Sequence, residues 1–89
     1  MSGGGPVFHP PVKRSITIAG HPTSIALEPL FWQVLEHRAE ARSLPLSALV
    51  AQIDAERLTA PTPPNLASAI RCWLFATICD SDENVSQLR

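Results

Sequence analysis

The sequence predicts a small, mainly α-helical fold that opens with a short β-ribbon. Polar and apolar residues alternate over positions 15–19 and again over 23–27, which is the period of a strand with one buried face. After Glu28-Pro29, apolar residues recur every three or four positions, which is the period of an amphipathic helix. At 89 residues the chain buries only a marginal core by itself, so we expect a second copy to complete it.

Residues 1–12 are predicted to form a flexible arm. Glycine occupies positions 3–5 and proline positions 6, 10 and 11, and neither residue supports a helix or a central strand. The segment lacks the charged start and apolar stretch of a secretory signal. No apolar run approaches the roughly 18 residues that cross a membrane. We therefore expect a cytoplasmic protein without a membrane partner.

The second alternation, at 23–27, predicts a strand whose outward face carries Ser24 and Ala26. A lone strand leaves its backbone N–H and C=O groups without partners, so this strand must pair with another. One candidate is the strand at 15–19 of the same chain, reached through the turn between them. The other is the same strand of a second chain. The residues alone leave both alternatives open.

Three helices are predicted after the second strand. The first begins at Pro29, which loses no hydrogen bond in a first turn, and extends to about Arg42. The second extends from about Pro45 to Leu58, and the third begins after Asn65, a residue that caps helix N-termini well. The predicted organisation is an arm at 1–12, a core at 13–58, a proline-rich linker at 59–64, a third helix at 65–80 and a polar tail at 81–89.

The third helix is apolar on nearly every side. Cys72, Phe75, Ala76 and Cys79 lie opposite its main apolar face, so we expect both sides to be covered. The two cysteines are seven residues apart, and a helical rise of about 10.5 Å is too long for a disulfide. We interpret them as small buried hydrophobic residues in a reducing compartment.

Charge is distributed unevenly along the chain. The first 27 residues carry Lys13 and Arg14 and no acid, giving +2, whereas residues 28–89 carry five arginines against eight acids, giving −3. The net charge of −1 is no bulk argument for nucleic acid, but the two cations lie beside the predicted strands. They are interpreted either as phosphate contacts or as a solvated strand edge.

The sequence contains none of the residue patterns that carry common enzymatic chemistry. It has no nucleophile with a nearby base, no glycine-rich phosphate loop before a helix and no metal-ligand spacing. We therefore expect no enzyme, no catalytic or cofactor-binding residue, no cofactor and no metal site.

Five stretches carry a resemblance to a known family. They are Lys-Arg-Ser-Ile-Thr-Ile-Ala-Gly-His at 13–21, Thr-Ser-Ile-Ala-Leu-Glu-Pro at 23–29, Phe-Trp at 31–32, Ser-Leu-Pro-Leu-Ser-Ala-Leu-Val at 43–50 and Asn-Leu-Ala-Ser-Ala-Ile-Arg at 65–71. Over about residues 13–79 the chain resembles the ribbon-helix-helix superfamily, in a small bacterial subgroup with an added C-terminal helix. The resemblance implies an intertwined homodimer in which strands of the two chains form an antiparallel ribbon.

The same resemblance implies a sequence-specific DNA-binding protein that regulates transcription, with its β-ribbon in the major groove of double-stranded DNA. Ser24 can hydrogen-bond to a base there, and the Ala26 methyl can meet a thymine methyl. Lys13 and Arg14 would contact phosphates, as would the N-terminus of the second helix. The implied DNA-contacting residues are Lys13, Arg14, His21, Thr23, Ser24, Ala26, Leu46 and Ser47, with His21 interpreted alternatively as a turn residue.

A second hypothesis keeps the fold and changes the partner. The protein would then be an interaction module, such as an antitoxin or an adaptor, whose apolar third helix or N-terminal arm binds another protein. An exposed apolar patch in the folded protein would favour this alternative.

Overall fold

The computed structural model describes residues 8–81. Two strands are followed by three helices, which confirms the predicted helical fold with a short β-ribbon. The predicted arm up to residue 7 and the predicted tail from residue 82 lie outside the described residues. The elements are β1 (Val12–Ile18), β2 (His21–Leu27), α1 (Pro29–Ala41), α2 (Leu46–Arg57) and α3 (Leu66–Ser81).

β1 and β2 form an antiparallel hairpin within one chain. Its register runs from Val12 opposite Leu27 to Ile18 opposite His21. The connecting residue Ala19 has a φ of 52° and Gly20 a φ of 83°. Positive φ at both positions is typical of the type I′ turn, whose twist matches that of the flanking strands. Of the two alternatives for pairing β2, the described chain therefore contains the pairing with its own preceding strand.

The length of the turn determines which backbone N–H and C=O groups of each strand point toward the other strand. A two-residue turn makes the flanking pair, Ile18 and His21, exchange hydrogen bonds, and hydrogen-bonded pairs then alternate with unbonded ones along the ladder. Thr17 and Pro22 form the first unbonded pair. Because this position needs no donor, the missing N–H of Pro22 costs the hairpin nothing.

The same alternation leaves a free edge on β2. The N–H and C=O groups of Ser24 and Ala26 point away from β1, because both residues lie in unbonded pairs of the ladder. Within residues 8–81 no third strand lies at this edge, since the sheet consists of β1 and β2 alone. β2 therefore presents open backbone donors and acceptors on one side.

One side of the hairpin covers the helices. Ile16 of β1 and Ile25 and Leu27 of β2 are buried against them, and among the described residues no polar or charged side chain is buried. None of the helices in this range has the length and apolar content needed to cross a bilayer. The core consists of Ile16, Ile25, Leu27, Trp32, Leu35, Ala39, Leu49, Val50, Ile53, Ala69, Ile70 and Leu74.

Local signals at the helix ends agree with the sequence. Pro29 lies in the first turn of α1, as predicted. The side-chain oxygen of Asn65 accepts a hydrogen bond of 2.8 Å from the Ser68 N–H, which confirms the predicted cap of α3. Between α1 and α2, Ser43 has a φ of 55°, the left-handed geometry that more commonly selects glycine at the end of a helix.

An ion pair joins the start of α1 to α3. Two nitrogens of Arg71 lie 2.9 and 3.1 Å from the same carboxylate oxygen of Glu28. Hydrogen bonding from the backbone of Glu28 and from Arg71 lowers the pKa of this carboxyl below its ordinary value. The pair therefore stays charged at acidity that would protonate an unpaired glutamate.

The prediction of two buried cysteines is wrong for Cys72. Its side chain is exposed, Cys79 is partly exposed, and both thiols are free. The reason is the orientation of α3, which buries Ala69, Ile70 and Leu74 against the rest of the chain. Cys72 lies on the opposite side of the helix.

Candidate nucleic-acid interface

The side of the hairpin that faces away from the helices carries a compact set of short side chains. Neighbouring strands are about 4.8 Å apart, so residues paired across the ladder are in direct contact range. All members are exposed except Ala26, which is half-buried. We call this surface the outward face, and it consists of Lys13 opposite Ala26, Ser15 opposite Ser24 and Thr17 opposite Pro22.

Lys13 supplies the charge of the outward face. The other five members are uncharged, and no acid occurs in either strand. Within residues 8–81 the Lys13 side chain has neither an ion pair nor a hydrogen bond. It is therefore a cation available to an anionic ligand such as a phosphate.

The structure places Arg14 on the other side of the hairpin. Its guanidinium carbon lies 4.5 Å from the centre of the Trp32 ring, and its Nη1 atom is 3.1 Å from a carboxylate oxygen of Glu36. Adjacent residues of a strand point to opposite faces, so Lys13 and Arg14 do not form one basic patch. Arg14 serves the contact between β1 and α1.

Trp32 fixes the beginning of β1. The residue is 4% exposed, and its indole N–H donates a hydrogen bond of 2.9 Å to the Val12 carbonyl. Because Val12 immediately precedes Lys13, this contact also positions the backbone from which the Lys13 side chain extends. The sequence did not predict this role, since nothing local links a helix residue to a strand 20 positions earlier.

The remaining predicted contact residues are not on the outward face. Thr23 and His21 lie two and four residues before the buried Ile25, so their side chains point to the same face of β2 as Ile25, opposite the outward face. His21 also flanks the turn. The outward face instead gains Ser15 and Thr17, which the sequence-based prediction did not include. The alternation of β1 already placed both on the side of Lys13.

Leu46 and Ser47 form the first turn of α2, a separate element that contacts β1. Both residues are half-buried. Their backbone N–H groups have no partner among the described residues, as expected for a first turn. Pro45 precedes them as the N-cap without a side-chain hydrogen bond. This helix end thus presents two open donors at the positive end of the helix dipole.

A second exposed surface is apolar. Phe75 is 61% and Ile78 44% exposed, and Cys72 and Ala76 are exposed beside them. We call these four residues the α3 apolar face. The predicted cover for this side of the helix is not found within residues 8–81. The same part of the chain contains no group of three or more metal-ligating side chains close enough together to hold a metal ion.

A family model described as a ribbon-helix-helix domain matches residues 11–78, which include both strands, α1, α2 and most of α3. The chain belongs to the ribbon-helix-helix family. Members of this family typically dimerise and bind DNA, and ribbon-helix-helix domains are typically non-enzymatic. A search of curated proteins and a search of solved structures each found no match.

Proposed function

We propose that this ribbon-helix-helix protein is a homodimeric, non-enzymatic regulator of transcription that contacts the major groove through the outward face of its hairpin. The observation that carries the proposal is the composition of that face, which has exposed hydroxyl groups, an unpaired lysine and no acid. Phosphates attract the cation, and hydroxyl groups reach base edges. A regulator of this kind acts where the chromosome is, in the bacterial cytoplasm.

The free edge of β2 supports the proposed dimer. Ser24 and Ala26 direct backbone donors and acceptors away from β1. The same edge of a second copy satisfies these groups if the two β2 strands pair antiparallel about a two-fold axis. The result is a four-stranded sheet with the two β2 strands at its centre.

The width of this sheet assigns different roles to its strands. At about 4.8 Å per strand, the outer strands are about 14 Å apart, wider than the roughly 12 Å of the major groove. The β2 strands therefore face the bases, whereas β1 lies over the phosphates that border the groove. Lys13 on β1 thus contacts phosphate, and the open N–H groups of Leu46 and Ser47 supply a further phosphate contact.

The proposal is tested by the salt dependence of DNA binding. A labelled duplex of mixed sequence is titrated with protein by fluorescence polarisation between about 50 and 200 mM salt. For Lys13→Ala we expect the slope of log K against log salt to fall by about 0.9 for each lysine removed. Arg14→Ala is the matched control, since it removes the same charge from the other side of the hairpin, and its slope should stay close to wild type.

Two results would contradict the proposal. One is the absence of wild-type binding at the lowest salt, with circular dichroism showing a folded protein. The other is an Arg14→Ala slope that falls as much as that of Lys13→Ala.

The second candidate is a protein-interaction module such as an antitoxin or an adaptor. The α3 apolar face favours it, because exposed apolar patches commonly mark protein-binding surfaces. The same titration separates the two candidates. A folded wild-type protein that does not bind DNA at low salt would leave the interaction module as the better interpretation.

A further inference from the structure

The side chains that face the bases are poor at hydrogen-bond recognition. On β2 the outward face consists of Pro22, Ser24 and Ala26. Guanine and adenine are read most specifically by arginine, lysine, asparagine or glutamine, and none of these is present on this strand. The Ser24 hydroxyl both donates and accepts, so it pairs with any base edge. Hydrogen bonds from β2 therefore discriminate weakly among sequences.

The outward side chains of β2 are well suited to apolar contact. The Ala26 methyl and the Pro22 ring flank Ser24, and the exposed Thr17 is paired across the ladder with Pro22. In the major groove, the apolar group of a standard base pair is the C5-methyl of thymine. Contact between two apolar surfaces removes both from water, which is favourable.

We infer that this protein recognises DNA through pyrimidine C5-methyl groups, so that its preferred duplexes are rich in thymine. The inference rests on the proposed function, because it concerns what the same face reads once it lies in the groove. Ala26 provides the principal contact, since its side chain is a methyl group on a central strand and lies farther from the turn than Pro22. Lys13 adds affinity that does not depend on sequence.

Four synthetic duplexes of equal length test the inference. They are alternating A·T, the same duplex with uracil in place of thymine, alternating G·C, and the same duplex with 5-methylcytosine in place of cytosine. Within each pair only the C5-methyl group changes. We expect the methylated member to bind about 5- to 10-fold more tightly, less than the roughly 10- to 200-fold that a methylene contributes in an enclosed pocket.

Variants assign the effect to Ala26. Ala26→Gly should bring the ratio of A·T to A·U affinity close to one, and Ala26→Ser should do the same while keeping a side chain on the strand. Ser24→Ala is the control at the neighbouring outward position; it keeps the Ala26 methyl and adds a second one, so the ratio should stay at or above the wild-type value. Lys13→Ala should weaken all four complexes by a similar factor.

The outcomes separate this inference from the proposed function. Equal binding to A·T and A·U duplexes would overturn the methyl-based recognition and leave DNA binding intact. A preference for A·T over G·C that survives the change to uracil undiminished would assign the selectivity to groove shape, which also overturns the inference. Failure to bind any of the four duplexes at low salt would contradict the proposed function itself.

Discussion

Replacing Trp32 with alanine is expected to lower the free energy of unfolding by about 3–5 kcal/mol, the usual cost of deleting a buried aromatic side chain. Trp32 is 4% exposed, lies beneath Arg14 and donates a hydrogen bond to the Val12 carbonyl. The change therefore opens a cavity in the core and releases β1 from α1. Because folded domains are stable by only about 5–15 kcal/mol, this loss is a large fraction of the total.

Urea unfolding followed by far-ultraviolet circular dichroism measures this effect. Trp73→Ala is the matched control, because Trp73 is only partly buried and contacts Arg42 at 4.9 Å from its ring centre. Its cost should stay below about 2 kcal/mol. Equal losses for the two variants would show that Trp32 has no special role in holding β1.

Ser24→Pro is expected to break the dimer while leaving the hairpin formed. The Ser24 N–H points to the free edge of β2, so proline there removes a donor from the proposed interface and none from the ladder with β1. Two donors are lost for each dimer, and the proline rings obstruct the approach of the second edge. We expect dimerisation to weaken by at least about tenfold, as each 1.4 kcal/mol changes an equilibrium constant by that factor.

Ser15→Pro provides a close control for this experiment. Ser15 is paired with Ser24 across the ladder, and its N–H points to the outer edge of β1. It should dimerise like wild type when the mass is measured by sedimentation equilibrium. If Ser15→Pro breaks the dimer and Ser24→Pro does not, β1 forms the interface. A wild-type protein that is monomeric at all concentrations would contradict the proposed dimer.

Much of the fold could be predicted because its signals are local. Alternation indicated both strands, Pro29 indicated the start of α1, and Asn65 indicated the cap of α3. The sequence indicated a turn between the two strands, which the structure places at Ala19-Gly20, but the residue pattern did not show whether the second strand would pair within or between chains. An alternating pattern shows only that a strand needs a partner and does not identify that partner.

The parts that could not be predicted depend on tertiary contacts. Arg71 pairs with Glu28 across 43 positions, and no spacing rule connects them. Cys72 lies opposite the main apolar face of α3; that face is buried, but the apolar residues on the Cys72 side did not show that this side would stay uncovered. In contrast, the alternation of side chains along a strand was enough to predict that Lys13 and Arg14 point to opposite faces.

The structure shows how a chain with a net charge near zero carries an unneutralised cation on one face. The chain has a net charge of −1, yet the acids lie outside both strands. Arg14 is paired with Glu36, which leaves Lys13 as the cation of the outward face. A DNA backbone interacts with the local charge of that face more than with the net charge of the whole chain.

DNA binding by the outward face is tested most directly by locating the duplex on the protein surface. Methyl resonances of Thr17, Ala26, Ile16 and Ile78 are followed by heteronuclear NMR while an unlabelled duplex is added at low salt. We expect shifts and protein–DNA nuclear Overhauser effects at Thr17 and Ala26, with Ile16 in the core and Ile78 on α3 unaffected. Changes at Ile78 without changes at Thr17 and Ala26 would contradict binding by the outward face and place the binding surface on α3.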